Sequence, residues 1–375
     1  AKVSVKGWLH MKKKHIAMFI SSLNKGGSER VLVNLAEYFY SRGYRVTIVT
    51  QYKTENEYGI SDGIRRVFSE ITQEEMGNGR ISNFLRRFFK LRRIWKEERP
   101  DLILSFIGKN NMMAVMTSRF LGIPTVVSVR GEPAAEYDSR MMKTIADILF
   151  RLADAVVLPV GRSGDFFSKA VRKKAVCLKN PLHPAFIREV YEGERDKEIV
   201  AVGRIDANKN HEMIIRAFGG IAGKYPEYRL VIYGEGELRH SLTEMAKDMG
   251  LEDRVFLPGS VSDVADKIYK SSIFVLSSYS EGMPNTLIEA MALGIPSIST
   301  DCPCGGPAEL IEDGKNGYLI APGDWKRLQD ILQRLMDNPD LAKEIGRNAS
   351  KMQEKLNPDT INRTWENYVK DWIRK

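Results

Sequence analysis

Two glutamates eight residues apart, Glu281 and Glu289, form the strongest candidate site of this sequence, because carboxylates so placed can bind neighbouring hydroxyl groups. They lie in residues 280–290, SEGMPNTLIEA, where a loop leads into a predicted helix. A carboxylate on the first face of that helix can accept two hydrogen bonds from vicinal hydroxyls, and the first amides of the helix suit phosphate. The alternative is a surface acid followed by an acid that only stabilises the helix dipole. The candidate binding residues of this segment are Glu281, Gly282, Met283, Asn285, Thr286, Leu287 and Glu289.

Two basic residues, Arg204 and Lys209, follow the first predicted strand of the second half of the chain, in residues 202–210, VGRIDANKN. They lie five residues apart across a turn into a helix. Arginine offers a fork of donors and lysine a point charge, and together they suit a diphosphate. The end of a strand in an open α/β sheet is also where ligands bind. The alternative is a solvated pair of basic residues.

A third candidate is the pair Gly26 and Gly27 in residues 21–30, SSLNKGGSER, which follows the first predicted strand and opens a helix. Two glycines let the backbone bend sharply and approach a ligand closely. The start of the helix then offers amides and a positive dipole to a phosphate. The segment matches neither GxGxxG nor a Walker loop, so a plain strand-to-helix turn is the alternative.

These three segments each follow a strand and precede a helix because short β-rich runs alternate with amphipathic helical runs along the chain, which is typical of parallel sheets. In the first half the predicted strands are residues 15–20, 45–50, 102–106, 125–129 and 155–159, and the helices include 28–42 and 137–152. The pattern breaks at residues 180–184, NPLHP, where prolines disfavour helix. It restarts with predicted strands at residues 198–202, 229–233, 255–257, 273–276, 297–300 and 317–320.

A chain of 375 residues suits two domains rather than one core. We predict an α/β protein of two doubly wound, Rossmann-like domains with a cleft between them. Residues 11–185 form the first domain, residues 195–357 form the second, and residues 358–375 form a helix that packs back on the first. Met11, followed by three lysines, is the expected natural start, so residues 1–10 are left outside the domains.

Charge is distributed unequally between the two halves. Residues 1–190 hold 33 Lys and Arg against 18 Asp and Glu, a net charge of +15, and the remainder holds 24 against 30, a net charge of −6. A basic half favours phosphate, nucleic acid or an anionic membrane surface as partner. Three cysteines, with Cys302 and Cys304 one residue apart, favour a reducing cytoplasm over a disulfide framework. They also lack the four ligands of a zinc site, so no metal site is predicted.

Residues 80–99, RISNFLRRFFKLRRIWKEER, predict an amphipathic basic helix with bulky aromatic residues, as in helices that lie on membranes. The alternative is a core helix with solvated arginines. RNA is the other anionic partner to weigh, but the sequence has no RNA-binding signature, so no nucleic acid is predicted. The apolar side is formed by Ile81, Phe84, Leu85, Phe88, Leu91 and Trp95, and the candidate acceptor or lipid contacts opposite are Arg86, Arg87, Lys90 and Arg93.

Four motifs occur in order: Gly26-Gly27, Gly203-Arg204 with Lys209, Glu281 with Glu289, and Gly305-Gly306 before Glu309. With them the sequence resembles the family-4 glycosyltransferases of the GT-B fold, which carry an E-x7-E motif. It is similar in particular to bacterial enzymes that extend lipid-linked or capsular polysaccharide glycans. The resemblance covers nearly the whole chain and is tightest over residues 199–322.

The resemblance implies a site for each part of a nucleotide-sugar donor in the interdomain cleft. Glu289 would hold the ribose, Arg204 and Lys209 the diphosphate, and Glu281 the donor sugar. Arg204 and Lys209, with the helix-end amides, can stabilise the charge of the departing diphosphate, and the sequence has no Asp-x-Asp metal anchor. We therefore expect Glu281, Arg204 and Lys209 to be the catalytic residues of a metal-independent enzyme without cofactor. The resemblance further implies retention, with the acceptor attacking from the leaving-group face.

One segment departs from many relatives, which carry a histidine near the reacting sugar. Residues 128–133, SVRGEP, are instead similar to the Ser-Glu-Arg-Asn-Asp-Pro segment of relatives that add amino sugars to lipid-linked oligosaccharides. Arg130 is therefore a candidate contact to phosphate or sugar of the acceptor. The alternative is a structural arginine that pairs with Glu132 or another neighbour.

The predicted function is that of a hexosyltransferase-type enzyme. It would move a sugar, with an N-acetylhexosamine as a candidate, from a UDP-sugar to a polyprenyl-diphosphate glycan in polysaccharide or glycoconjugate synthesis. It would work in the cytoplasm, peripherally on an anionic membrane surface at the inner face of the cell membrane. The alternatives are a UDP-sugar epimerase of GT-B fold and a glycosyltransferase with a soluble acceptor.

Overall fold

The computed structural model describes residues 13–373, and its first half is built on a seven-stranded parallel sheet. The strands are β1 (His15–Ile20), β2 (Arg45–Thr50), β3 (Arg65–Phe68), β4 (Leu102–Phe106), β5 (Thr125–Ser128), β6 (Ala155–Leu158) and β7 (Ala175–Cys177). Their order in the sheet is β3-β2-β1-β4-β5-β6-β7, and every neighbouring pair is parallel.

Helices cover both faces of this sheet. They are α1 (Gly27–Ser41), α2 (Arg80–Glu98), α3 (Gly108–Ser118), α4 (Pro133–Glu136), α5 (Arg140–Leu152) and α6 (Lys169–Lys174), with short 3-10 turns at Gly161–Phe166 and Pro184–Phe186. Apolar side chains of α2, α3, α5 and α6 pack on one face. Helix α1 packs on the other face, together with the last helix of the chain.

The second half is built on a six-stranded parallel sheet in the order β10-β9-β8-β11-β12-β13. Its strands are β8 (Asp196–Val202), β9 (Arg229–Tyr233), β10 (Val255–Gly259), β11 (Ser271–Leu276), β12 (Ser297–Thr300) and β13 (Tyr318–Ile320). Its helices are α7 (His211–Gly219), α8 (Arg239–Asp248), α9 (Val264–Ile268), α10 (Asn285–Ala292), α11 (Gly306–Leu310), α12 (Trp325–Asp337), α13 (Pro339–Ser350) and α14 (Met352–Lys355), and the chain continues into α15 (Pro358–Ile373).

Two parallel sheets with this connectivity confirm the predicted fold class. In each sheet the chain order reverses beside the first strand, β1 or β8, and a crevice opens there at the carboxyl ends of the strands. The three candidate segments follow β1, β8 and β11, so each lies at such a crevice. The domain boundaries at residues 185, 195 and 357 stay a prediction, and Met11 lies outside the described residues.

Local differences from the predicted elements have simple causes. The helix predicted over residues 137–152 begins at Arg140, because the Ser139 hydroxyl accepts a hydrogen bond from the Met142 amide (3.1 Å) and caps it there. The preceding turn, α4, begins at Pro133, which favours a first helical position. Strands β3 and β7 were not predicted, because both are short edge strands of three or four residues with no fully buried residue, and charged residues flank their apolar positions.

Helix α15 contributes Trp365, one of its two tryptophans, to the core of the first sheet. The Trp365 ring is fully buried and stacks on Phe106, with ring centroids 6.4 Å apart. Its indole N–H donates to the Lys179 carbonyl (3.0 Å), and the Arg130 guanidinium lies 5.3 Å from its ring centroid. The last helix of the chain therefore supports the same region that carries β4 and the end of β5.

Trp365→Ala should lower the free energy of unfolding of the first domain by about 3–5 kcal/mol, because it removes a buried ring and leaves a cavity. Trp365→Phe should cost less, since it keeps the stacking and loses mainly the indole hydrogen bond, worth about 1 kcal/mol. The measurement is urea unfolding followed by circular dichroism. Phe120→Ala, at a position that is 90% exposed, is the control. Equal stability of Trp365→Ala and Phe120→Ala would show that α15 is not part of this core.

Candidate active site

An ion pair between Lys209 and Glu281 lies at the centre of the candidate site. Lys209 comes from the loop after β8 and Glu281 from the loop after the neighbouring strand β11. The Ser278 hydroxyl donates to the same Glu281 oxygen (2.6 Å). Both charged side chains are largely buried, so each charge depends on the other for its stabilisation.

Hydrogen bonds to backbone hold these two loops together. The Asn208 side-chain amide donates to the Ser280 carbonyl (3.0 Å), and the Tyr279 amide donates to the Asn208 carbonyl (2.8 Å). The Ser277 hydroxyl donates to the Lys209 carbonyl (2.7 Å). Lys209 and Glu281 are therefore fixed relative to each other by the loops themselves as well as by their charges.

Arg204 is the exposed cation of the site. Its side chain is 76% exposed and lies 3.3 Å from the Asp206 carboxylate. It faces Glu29 of the first domain: burial raises the pKa of Glu29, and Arg204 acts in the opposite direction. The His211 ring contacts the Arg204 carbonyl (3.2 Å), and burial lowers the pKa of His211 to about 4, so His211 is neutral. The cationic group at this edge of the cleft is thus Arg204 rather than His211.

The cysteines of the loop after β12 act as structural donors. The Cys304 thiol donates to the Glu281 carbonyl (2.6 Å), and the Cys302 thiol donates to the Ser278 carbonyl (3.4 Å). Burial raises the pKa of Cys302 to about 12 and that of Cys304 to about 11, so both stay protonated. Within residues 13–373, no group of three or more His, Cys, Asp or Glu side chains is arranged to hold a metal ion.

Glu289 is buried on α10, and its partner comes from the other domain. The Arg30 guanidinium, on α1, forms an ion pair with the Glu289 carboxylate across the cleft. Burial raises the pKa of Glu289 to about 7, although Arg30 acts to lower it. The carboxylate therefore lies in the cleft, but in this structure one of its oxygens is bound to the guanidinium of Arg30.

The start of α10 brings backbone rather than side chains to the cleft. No side chain caps the helix, whose first residue is Asn285, and the first amides of a helix lack partners within it. The side chains of Met283 and Leu287 are buried in the core, so only their backbone can contribute to binding. The Gly282 backbone lies so close to the Arg130 carbonyl that a Cβ at this position would collide with it.

Direct contacts join the two domains around the site. The Asn285 side-chain amide donates to the Gly27 carbonyl (3.2 Å) and its oxygen accepts from the Asn180 amide group (2.8 Å). The Gly161 amide donates to the Glu309 carboxylate (2.8 Å). Gly27 therefore lies opposite the start of α10, and Gly26 is the N-cap of α1.

Arg130 is enclosed in the first domain. Its guanidinium donates to the Asn180 side-chain oxygen (2.7 Å), to the Leu178 carbonyl (3.3 Å) and to the Val129 carbonyl (3.0 Å). Only 5% of the residue is exposed. The geometry therefore favours the structural interpretation over a direct acceptor contact, but its partners are Asn180 and backbone rather than Glu132.

Helix α2 has features of both predicted alternatives for residues 80–99, a membrane-surface helix and a core helix. Its second half is core, with Leu91, Ile94 and Trp95 buried, whereas its first half exposes Ile81, Phe84, Leu85 and Phe89. The basic side chains also have protein partners: Arg87 contacts Glu70 (2.5 Å), Lys90 contacts Glu75 (2.7 Å), Arg93 contacts Glu97 (3.5 Å) and Arg86 contacts Ser82 (3.5 Å). No helix within residues 13–373 is both long and apolar enough to cross a bilayer.

Three cleft residues, Arg30, Asn180 and Glu309, were not among the predicted site residues, although Glu309 belongs to one of the four motifs. Each makes its contact with the opposite domain. Arg30 lies one helical turn after Gly27, so helical spacing alone places it on the cleft side of α1. The partners could not be identified, because they depend on how the two domains face each other.

The Glu289 pKa predicts a pH effect on stability. The pKa of the Glu289 carboxyl is about 7 in the folded protein and about 4.5 in the unfolded chain, so protonation of Glu289 stabilises the folded state. The folded state therefore loses stability as the pH rises from about 4.5 to 7, by up to about 3 kcal/mol. Glu289→Gln removes this contribution, so its stability relative to wild type should increase with pH over that window. Urea unfolding at several pH values measures the difference, and a difference that does not vary with pH would contradict the expected titration.

Comparison with known proteins identifies the sequence family and the fold. Residues 25–170 match the family model described as Glycosyltransferase Family 4, and residues 184–352 match the one described as Glycosyl transferases group 1. A Campylobacter jejuni protein named GalNAc-alpha-(1->4)-GalNAc-alpha-(1->3)-diNAcBac-PP-undecaprenol alpha-1,4-N-acetyl-D-galactosaminyltransferase is 27% identical over 354 residues, which are 93% of this chain and 96% of that protein.

Two solved structures illustrate the shared fold. The Anabaena protein HepE, in complex with UDP, has a TM-score of 0.77 at 19% identity, over 96% of this chain and 100% of its own. Sucrose-phosphate synthase from Thermosynechococcus elongatus has a TM-score of 0.82 at 17% identity, over 96% of this chain and 99% of its own. The GT-B fold and the resemblance inferred from the motifs are both confirmed. The two family models together span most of the chain, which is therefore a glycosyltransferase that belongs to family 4.

Proposed function

We propose that this glycosyltransferase moves an N-acetylhexosamine from a UDP-sugar to a polyprenyl-diphosphate glycan, with retention and without a metal ion. The observation that carries the proposal is the ion pair of Lys209 and Glu281, whose loop leads into α10 opposite Gly27, with Arg204 on the same loop as Lys209. Support for the donor comes from HepE, which was solved with UDP. Support for the sugar and acceptor comes from the names of two Campylobacter jejuni relatives, both N-acetylgalactosaminyltransferases with an undecaprenol-linked diphosphate in their names.

The donor would lie along the carboxyl ends of β8 and β11. Glu289 would accept hydrogen bonds from the ribose hydroxyls, and the amides of residues 282–287 with those of Gly26 and Gly27 would face the diphosphate. Arg204 is exposed and would exchange Asp206 for the phosphates, whereas Lys209 is held in place by its loop. These groups come from both domains, so the donor is expected to bind between them.

Breaking the anomeric C–O bond places negative charge on the departing diphosphate. Lys209, Arg204 and the start of α10 supply positive charge there, and such fixed charges stabilise a transition state without reorganisation. This is the physical basis for the proposed metal independence.

Glu281 would bind the donor sugar rather than attack it. One of its oxygens already accepts from Ser278 and pairs with Lys209, which makes it a weaker nucleophile. Retention then requires the acceptor hydroxyl to attack from the leaving-group face. A donor phosphate oxygen takes the hydroxyl proton as the new C–O bond forms and the bond to the diphosphate breaks.

A membrane-facing surface is proposed on one side of the first domain. Helices α2, α3, α5 and α6, which cover this side, hold 15 Lys and Arg against three Asp and Glu. Helices α1 and α15, on the other side, hold three Lys and Arg against five Asp and Glu. The basic side also exposes apolar residues, including Ile81 and Phe89 on α2 and Met141 and Ile148 on α5. Exposed apolar groups among cations suit an anionic membrane surface, where peripheral binding would give access to a lipid-linked acceptor.

The first test is mass spectrometry of the protein with a panel of nucleotide sugars and a short-chain polyprenyl-diphosphate glycan, in EDTA. We expect one new lipid product, heavier by one N-acetylhexosamine residue. Lys209→Gln should lower kcat by about 10²–10³, the loss typical of removing one group that stabilises transition-state charge. Lys224→Gln, which removes an exposed lysine paired with Asp337 in the same domain, is the matched control.

Other products would redirect the assignment. Interconversion of free nucleotide sugars without transfer would indicate the epimerase, and transfer to soluble glycans alone would contradict the lipid-linked acceptor. Loss of activity in EDTA that added divalent metal restores would contradict metal independence. Full activity of Lys209→Gln would show that the diphosphate lies elsewhere.

The membrane surface is tested by co-sedimentation with vesicles of phosphatidylglycerol or of phosphatidylcholine. Wild type should bind the anionic vesicles, and binding should fall as salt rises, because the attraction is partly electrostatic. The double variant Ile81→Glu/Ile148→Glu should lose most of this binding. Phe256→Glu, which adds one negative charge at an exposed apolar residue of the second domain, should retain it. Equal binding of the double variant and the Phe256 variant would place the membrane contact elsewhere.

A further inference from the structure

The ion pair between Arg30 and Glu289 joins the two domains at the point where the ribose of the donor is proposed to bind. The carboxylate is 4% exposed and the guanidinium 20%, so Arg30 is the partner with a path to water. Arg30 lies in the first turn of α1, directly after the glycine loop, and Glu289 lies in the second turn of α10. The pair therefore spans the cleft from one helix start to the other.

Few other charged groups surround the carboxyl of Glu289. Tyr58 lies beside the pair: burial raises the pKa of Tyr58, Arg30 lowers it and Glu289 raises it. Glu29 is adjacent on α1 and faces Arg204, and His183, in the connection between the sheets, lies beside Arg30. The elements packed under α10 contribute buried apolar side chains, which include Phe274, Ala349 and Met352. Arg30 is thus the cation that balances the buried charge of Glu289.

A ribose binds best to an ionised carboxylate with both oxygens available. The carboxylate accepts hydrogen bonds at both oxygens, whereas a protonated carboxyl turns one oxygen into a donor. A carboxyl in a buried site without a cation takes up a proton instead of staying charged. Arg30 opposes this protonation, because its charge lowers the pKa that burial raises, but it is also bound to one of the oxygens that the ribose needs. The same contact therefore prepares the site and competes with the ligand.

We propose that Arg30 is a positioning residue of the donor site, which holds Glu289 ionised across the cleft until the ribose hydroxyls of the donor replace it. This inference rests on the proposed function, in which Glu289 binds the ribose. Because Arg30 and Glu289 belong to different domains, the exchange removes one direct contact between the domains each time a donor binds. Arg30 then turns toward the solvent that it already touches. Donor binding and release are thereby coupled to the relative movement of the two domains.

The test measures the binding of UDP-N-acetylgalactosamine by calorimetry between pH 6 and 9, a range in which its two phosphates do not titrate. In wild type, affinity should fall as the pH drops through about 7, where Glu289 takes up its proton. In Arg30→Gln the fall should begin at a pH at least one unit higher, which lowers affinity near pH 7 by up to about tenfold. At pH 9 this variant should bind at least as tightly as wild type, because the competitor is gone. Arg30→Lys should restore the wild-type profile.

Two controls isolate the effect. Burial and Arg30 both lower the pKa of His183. His183→Asn is therefore introduced into wild type and into each Arg30 variant, so that the titration of His183 does not contribute to the pH profile. Arg42→Gln removes the arginine at the C-cap of α1, which pairs with the buried Glu366 (3.5 Å) at the helix end opposite Arg30, and its profile should match wild type. An Arg30→Gln profile that coincides with wild type, or that is weaker by the same factor at every pH, would overturn the inference.

Glu289→Gln separates this inference from the proposed function. If Glu289→Gln binds the donor as tightly as wild type, Glu289 does not hold the ribose and the proposed site itself fails. If Glu289→Gln weakens binding while Arg30→Gln leaves the pH profile unchanged, the ribose site stands and only the role of Arg30 is wrong.

Discussion

The adjacency of β8 and β11 in a parallel sheet is the constraint on which the rest of the site depends. It places two loops side by side at one edge, so that Lys209 of one loop meets Glu281 of the other. Hydrogen bonds from Asn208 and Ser277 join the same loops through backbone carbonyls. Because the strands fix where the loops begin, the charges are held by the fold and need not be ordered by a ligand.

Buried charge explains why the two domains touch where they do. A buried carboxylate needs a cation, and Glu289 finds none in its own domain, where apolar side chains surround α10. The close approach that brings Arg30 to it is possible because Gly282 has no side chain to collide with the Arg130 carbonyl. Gly282 and Arg30 thus both contribute to the close contact across the cleft, and Trp365 contacts Arg130 on the other side of it.

Much of the fold and of the candidate site followed from the sequence, because each motif lies directly after an apolar strand. That position alone placed Gly27, Lys209 and Glu281 at the carboxyl edges of two sheets. What sequence could not supply was the contact between domains, such as Arg30 with Glu289, since it depends on their relative orientation. Helix α2 shows the same limit: its periodicity is uniform, yet only the half that lies over the sheet is buried.

The same topology orients the proposed membrane surface. In a parallel sheet with right-handed crossovers, each helix that follows a strand begins at the carboxyl edge, which here is the edge of the cleft. The exposed residues Ile81 and Met141 lie in the first turns of α2 and α5, and so lie toward that edge. A membrane bound through these helices would therefore lie beside the cleft mouth rather than behind the sheet. The first turns of these basic helices and the opening of the cleft lie at the same edge of the domain. A polyprenyl-linked diphosphate could therefore enter the cleft while its lipid stays in the bilayer.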